Sequence, residues 1–168
     1  HYDLFHVLYA MGDSDQAASH AETMVASAER TRIRMWRSRA METNEALGSA
    51  KGDWQTAREF TEQGLAISPQ ESTLMGARAL VGYQLGETEA GDAYLNILFE
   101  NFQAGAFYSE FQANHTVPTV VIPMVSYITG IEARFEFVED IARSVFSSPD
   151  ANPSATNAAH IGLALIAA

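Results

Sequence analysis

The chain has no cysteine in its 168 residues, which excludes disulfides and thiolate metal sites outright. Lysine is nearly absent. Lys51 stands beside nine arginines and 21 acids, for a net charge of -11. Neutralising a phosphate backbone takes clustered positive charge, so direct nucleic-acid binding by the domain as a whole is not expected. Also missing is an apolar run of membrane length. Residues 111–131 carry no Asp, Glu, Lys or Arg, but they include Gln112, Asn114, His115, Thr116 and two prolines. Their apolar heart, "VPTVVIPMVSYI", is shorter than the ~20 residues a bilayer helix needs. No basic start followed by an apolar stretch marks a signal peptide. The expectation is a cytoplasmic protein with no membrane segment. What is present, 47% hydrophobic and 18% charged residues, is the composition of a folded domain.

The informative pattern is a repeat. "GDWQTAREFTEQGLAISP" (Gly52–Pro69) has Ala57 five residues after its glycine, Phe60 eight after, then Gly64, Leu65 and Ile67. From Gly12 the same offsets give Ala17, His20, Met24 and Val25; from Gly86 they give Gly91, Tyr94, Leu98 and Phe99. A looser copy starts at Gly130, with Phe135, Val138, Ala142, Arg143 and Val145. The anchors are separated by 40, 34 and 44 residues. Such a period belongs to stacked helical hairpins. The glycine supplies the left-handed residue that ends one helix. Asp13 or Asp53 caps the next. A small residue at plus five lets the two helices approach closely, and the larger apolar residues fill the groove to the neighbouring hairpin.

These residues resemble the second half of the tetratricopeptide (TPR) consensus, down to Pro69. The first helices depart from it: Met41, Asn44, Glu45 and Gly48 stand where that consensus has Trp, Leu, Gly and Tyr. The apolar stripe there runs instead through Ile33, Trp36, Ala40, Thr43 and Leu47. "IPMVSYITG" (Ile122–Gly130), "SSPDANP" (Ser147–Pro153) and "GLALIAA" (Gly162–Ala168), with the segments at Gly52 and Leu85, are similar to a helical-repeat region of large bacterial signalling proteins. Those resemble LuxR-type regulators and adenylate or guanylate cyclases with an AAA-like ATPase module. The resemblance implies an all-α, right-handed TPR-like α-solenoid of stacked antiparallel hairpins. It implies a single domain over 1–168 with about four hairpins plus a partial one, as in a piece of a larger protein. Helices are expected at Tyr2–Met11, Asp15–Glu29, Thr31–Ala50, Gln55–Ile67, Glu71–Leu85, Glu89–Phe102, Ala106–Asn114, Pro118–Thr129, Ile131–Phe146 and Ser154–Ala168. Pro123 would kink the eighth.

Motifs for chemistry are scarce. "DSDQAASHAETM" lacks the glycine and the third acid of a calcium loop, so it reads as a capping turn. No two of His1, His6, His20, His115 and His160 have the i, i+4 spacing of a zinc pair. There is no P-loop and no G-x-S-x-G elbow. Neither catalysis nor a cofactor or metal is therefore expected. One cluster is distinctive: Arg30, Arg32, Arg34, Arg37 and Arg39. At 100° per residue, Arg30, Arg34 and Arg37 share a face with Met41, Asn44 and Glu45, a candidate groove for an acidic peptide or phosphate. The plainer expectation is pairing with Glu29, Glu42 and Glu45, or solvation. The expected partner is a protein, a peptide or an adjacent domain of the parent chain, with homodimerisation through an exposed solenoid end. The alternative function is small-molecule sensing, in a pocket near Pro118–Tyr127.

Overall fold

Three glycines punctuate the chain in the same way. Gly12, Gly52 and Gly86 have φ of +79°, +70° and +76°, conformations that glycine adopts without steric cost. Each glycine amide donates to the carbonyl three residues back: Gly12 to Tyr9 at 3.0 Å, Gly52 to Ser49 at 3.1 Å and Gly86 to Tyr83 at 3.2 Å. The next amide donates five residues back: Asp13 to Leu8 at 2.9 Å, Asp53 to Gly48 at 2.9 Å and Glu87 to Gly82 at 2.8 Å. This is the Schellman arrangement, which satisfies the carbonyls a helix end leaves open. The next helix starts at once. Asp13 accepts from the Gln16 amide at 3.1 Å and Asp53 from the Thr56 amide at 3.2 Å, capping it.

These observations come from a computed structural model that describes residues 1–103, 124, 139–140, 142–143, 146–147 and 160–164. The helices in residues 1–103 are α1 (Tyr2–Ala10), α2 (Ser14–Thr31), α3 (Arg34–Ala50), α4 (Trp54–Ile67), α5 (Ser72–Gln84) and α6 (Thr88–Gln103). Among the described residues the protein is all-helical, and no helix is long and apolar enough to cross a membrane. The expected helices at Ala106–Asn114 and Pro118–Thr129, the kink at Pro123, the anchor Gly130 and the pocket near Pro118–Tyr127 lie outside the described residues, apart from Met124, which is helical. Of the last two expected helices, only residues 139–140, 142–143, 146 and 160–164 are described, all helical, and Ser147, one residue past the expected end of the first, is helical too.

Each helix packs on the next, and α1, α3 and α5 also touch one another in sequence, α1 on α3 and α3 on α5. Small residues set the close crossings. Ala17 and Ala57 are fully buried. A Cβ on Gly48 would lie 3.0 Å from the Ala57 nitrogen, and one on Gly82 would lie 2.9 Å from the Gly91 nitrogen. Three apolar clusters follow along the chain: Phe5, Ala17, Ala21 and Leu47; then Met24, Ala28, Ala40 and Met41; then Leu65, Leu74, Met75 and Leu98. α3 is packed by α1, α2, α4 and α5 together. That buries its polar Ser38, Glu42, Thr43 and Glu45 alongside its apolar residues.

The expected stripe on α3 needs correction at its start. Ala40, Thr43 and Leu47 are buried, but Ile33 and Trp36 are exposed. Ile33 is the extended residue before α3, and the helix's first turn lies beyond the stretch its neighbours bury.

Candidate functional site

The arginine-rich segment is divided between two helices. α2 stops where Arg32 turns left-handed at φ 56°, its amide donating to the Ala28 carbonyl at 2.9 Å. Ile33 is extended and α3 begins at Arg34. Arg30 therefore belongs to the last turn of α2, where the helix dipole favours a cation, and Arg34 to the first turn of α3, where it does not.

The expected groove Arg30, Arg34, Arg37, Met41, Asn44 and Glu45 consequently does not form one open face. Arg30 sits on the other helix. Met41 is buried in the second apolar cluster, against Phe60 and Ile67. Glu45 is 8% exposed, and Asn44 turns its amide back onto the Ala40 carbonyl at 2.8 Å. The cause is the packing of α3 on several sides, which leaves no free stripe along its middle.

Two of the five arginines meet acids of the chain. Arg37 Nε lies 3.5 Å from Glu29, and Arg39 Nη1 lies 2.7 Å from Glu42. Both acids are among the expected partners, but the second pair belongs to a network whose third member, Tyr2, sequence reasoning missed. The Tyr2 hydroxyl donates to Glu42 at 3.2 Å and accepts from Arg39 at 3.1 Å, while the guanidinium lies 5.2 Å from the Tyr2 ring centroid. Burial, reinforced by Glu42, pushes the Tyr2 phenol well above its ordinary value. Arg30, Arg32 and Arg34 have no acid within ion-pair distance among the described residues. Among the described residues Arg30 and Arg34 reach hydroxyls, those of Ser27 and Ser68, each at 3.4 Å.

Beside these arginines a cleft of about 250 Å3 opens between the start of α1, the second half of α2 and the start of α3. Met24, Ser27, Ala28 and Thr31 line it from α2, Tyr2 and Asp3 from α1, and Trp36 from α3. The first four follow i, i+3, i+4, i+7 spacing, a signal present in the sequence; that Tyr2 and Trp36 close the walls depends on chain reversal and is not local. The arrangement is a mostly apolar hollow that also carries His1 and Asp3, with Arg30 reaching one lining residue, Ser27, from outside, and it can hold an apolar group.

His1 and His20 approach through Nδ1 atoms 2.8 Å apart, so one ring donates to the other. Among the described residues no three His, Asp or Glu side chains are grouped to hold a metal ion.

Glu45 gives a pH test. Burial raises its pKa, against the stabilising bond from the Ser49 hydroxyl at 2.6 Å. A folded-state pKa above the unfolded value means the carboxylate favours folding only while protonated. That contribution is complete below the unfolded pKa and is lost as pH rises through the folded one. Glu45→Gln keeps an acceptor for Ser49 without the charge. It is expected to raise the melting temperature at pH 7 and to leave it nearly unchanged at about pH 4, close to the ordinary glutamate value. A gain of equal size at both pH values would sink this account.

Comparison of the chain with protein-family models, with curated proteins and with solved structures gives no match.

Proposed function

We propose that the chain is a non-catalytic interaction module built as a right-handed, TPR-like α-solenoid, serving a bacterial signalling or transcriptional regulator as the sequence resemblance implies. One observation carries the reading. Three turns with the same glycine conformation and the same pair of hydrogen bonds join successive helices, and the odd-numbered helices touch in order. Stacked units of this kind bury their apolar faces against each other and leave continuous surfaces whose shape and charge do the recognising. Proline 69 after α4 and the small residues at the crossings fit the same architecture.

The second reading, small-molecule sensing, draws support from the Tyr2–Met24–Trp36 cleft. At about 250 Å3 the cleft lies below the ~300–1,000 Å3 of ordinary ligand pockets, which favours the interaction module. The deciding experiment pairs a random-peptide display selection on the purified chain with a thermal-shift panel of nucleotides and metabolites. An enriched peptide family that binds saturably, with no stabilising small molecule, is the expected result. A metabolite that raises the melting temperature while no peptide is enriched would replace the interaction module by the sensor.

A further inference from the structure

We infer that the α2–α3 corner is a docking site for an acidic peptide that inserts one apolar side chain between Tyr2, Met24 and Trp36. The inference rests on the interaction-module reading and names the partner's chemistry. The first support is charge. The chain carries 21 acids against 10 basic residues, so every arginine has abundant potential partners. Even so, Arg30, Arg32 and Arg34 gather at one corner with no acid within ion-pair distance among the described residues. Two of them sit there at a local cost, Arg32 in a left-handed conformation and Arg34 at the wrong end of a helix dipole. Guanidinium groups with open donors match carboxylates or phosphates in forked geometry.

The second support is apolar exposure at the same place. Ile33, Met35 and Trp36 are three large apolar side chains of the corner left in water, at 50%, 52% and 41% exposure. Trp36 forms a wall of the cleft, whose α2 side is Met24 and Ala28. The cleft has room for one aliphatic or aromatic side chain. Ser27 belongs both to its lining and to the contact with Arg30, so the cation borders the cleft on the α2 side, while Asp3 lines the α1 side and directs the acids of a bound peptide towards Arg30. A tryptophan in the wall of a small cleft, with arginines on the same corner, brings together residue types that dominate binding energy at protein interfaces. A bilayer fits the corner less well: the cleft is concave, and the net charge of -11 repels an anionic lipid surface.

The test uses the full chain. Peptides enriched from the random library are titrated against it, against Trp36→Ala and against Arg30→Glu/Arg34→Glu, with thermal melts of each variant as folding controls. None of the three residues is part of the buried core, so the melts are expected to stay close to the parent's. The enriched peptides are expected to carry a Leu, Ile, Phe or Trp within a run of Asp or Glu. Each variant should weaken them by about tenfold or more, and added salt should weaken the parent complex. Peptides that bind both variants as tightly as the parent would remove the site from this corner and leave the interaction module standing. An empty selection would overturn both. Co-sedimentation with phosphatidylserine vesicles that is lost in Trp36→Ala, with no peptide enriched, would make the corner a membrane contact and overturn the inference.

Discussion

Replacing Gly82 by valine is expected to lower the melting temperature by roughly 10 °C, whereas Gly86→Ala, four residues later, costs only about 2–4 °C. Both are glycines of the third repeat, but they answer to different physics. Gly82 is helical, and its missing side chain is what lets α5 and α6 cross. A Cβ there would meet the Gly91 nitrogen at 2.9 Å and its Cα at 3.0 Å, and backbone cannot move aside as a side chain can. The same Cβ would lie 3.3 Å from Arg78 Nη1. Arg78 is a buried guanidinium that reaches Glu87 at 2.9 Å and Glu62 at 3.3 Å, and it lies 5.5 Å from the Tyr94 ring centroid. Valine therefore pushes two helices apart and disturbs the ion cluster that ties them, at about 3 kcal/mol. Gly86 has no atom within 4 Å of a built Cβ, so alanine there meets only the left-handed backbone penalty of about 1–2 kcal/mol, part of it returned by a stiffer unfolded chain. Melts of the two variants check the order. If Gly82→Val melts no lower than Gly86→Ala, the close crossing is wrong.

The features that were legible in the sequence are those whose requirement is local. A positive φ calls for glycine, a helix start calls for an aspartate, and a close crossing calls for a small residue. Gly12, Gly52 and Gly86, Asp13 and Asp53, and Ala17, Ala57 and Gly91 could therefore be read as one recurring unit. Burial on α3 could not be read this way, because it is decided by how many neighbours a helix has. Hydropathy puts Trp36 inside and Glu42 and Glu45 outside, yet Trp36 is exposed while both acids are buried by α3's four partners. The break between α2 and α3 was expected at Arg30 but falls at Arg32, and that shift was hidden for another reason. Arginine is a good helix former, and nothing in "ERTRIRMW" announces a left-handed residue. Counting helical spacing from Arg30 into the following helix put Arg30 and Arg34 on one face and produced a groove that the chain divides between two helices. Glu87 shows the reverse case. It occupies the aspartate position of the repeat, and its carboxylate reaches Arg58 at 2.7 Å and Arg78 at 2.9 Å, so the third turn adds an electrostatic tie to the shared backbone pattern.

The second large effect is a coupling in the third apolar cluster, where alanine at one site should reverse the sign of alanine at another. Leu74 is fully buried against Leu65, Met75 and Leu98, so Leu74→Ala is expected to cost about 3 kcal/mol in lost burial and residual cavity, a fall of roughly 6–12 °C in melting temperature. Gly64 faces it from α4. A Cβ on Gly64 would come within 2.5 Å of Leu74 Cδ1 and 3.1 Å of the Met41 Cβ. In the parent chain Gly64→Ala gains about 1 kcal/mol of helix propensity but has to displace a leucine with nowhere to go, so its net effect is destabilising by about 1 kcal/mol. Once Leu74 is alanine the obstruction is gone, and the new methyl fills part of the space the leucine left. Gly64→Ala then becomes stabilising by about 1 kcal/mol, which makes the coupling roughly 2 kcal/mol, within the range for side chains in direct contact. Four denaturant titrations, of the parent, the two single variants and the double variant, measure it. Additive losses would mean that Leu74 does not pack on Gly64, and that α4 and α5 meet with a different register from the one that places Met41, Gly64 and Leu74 together.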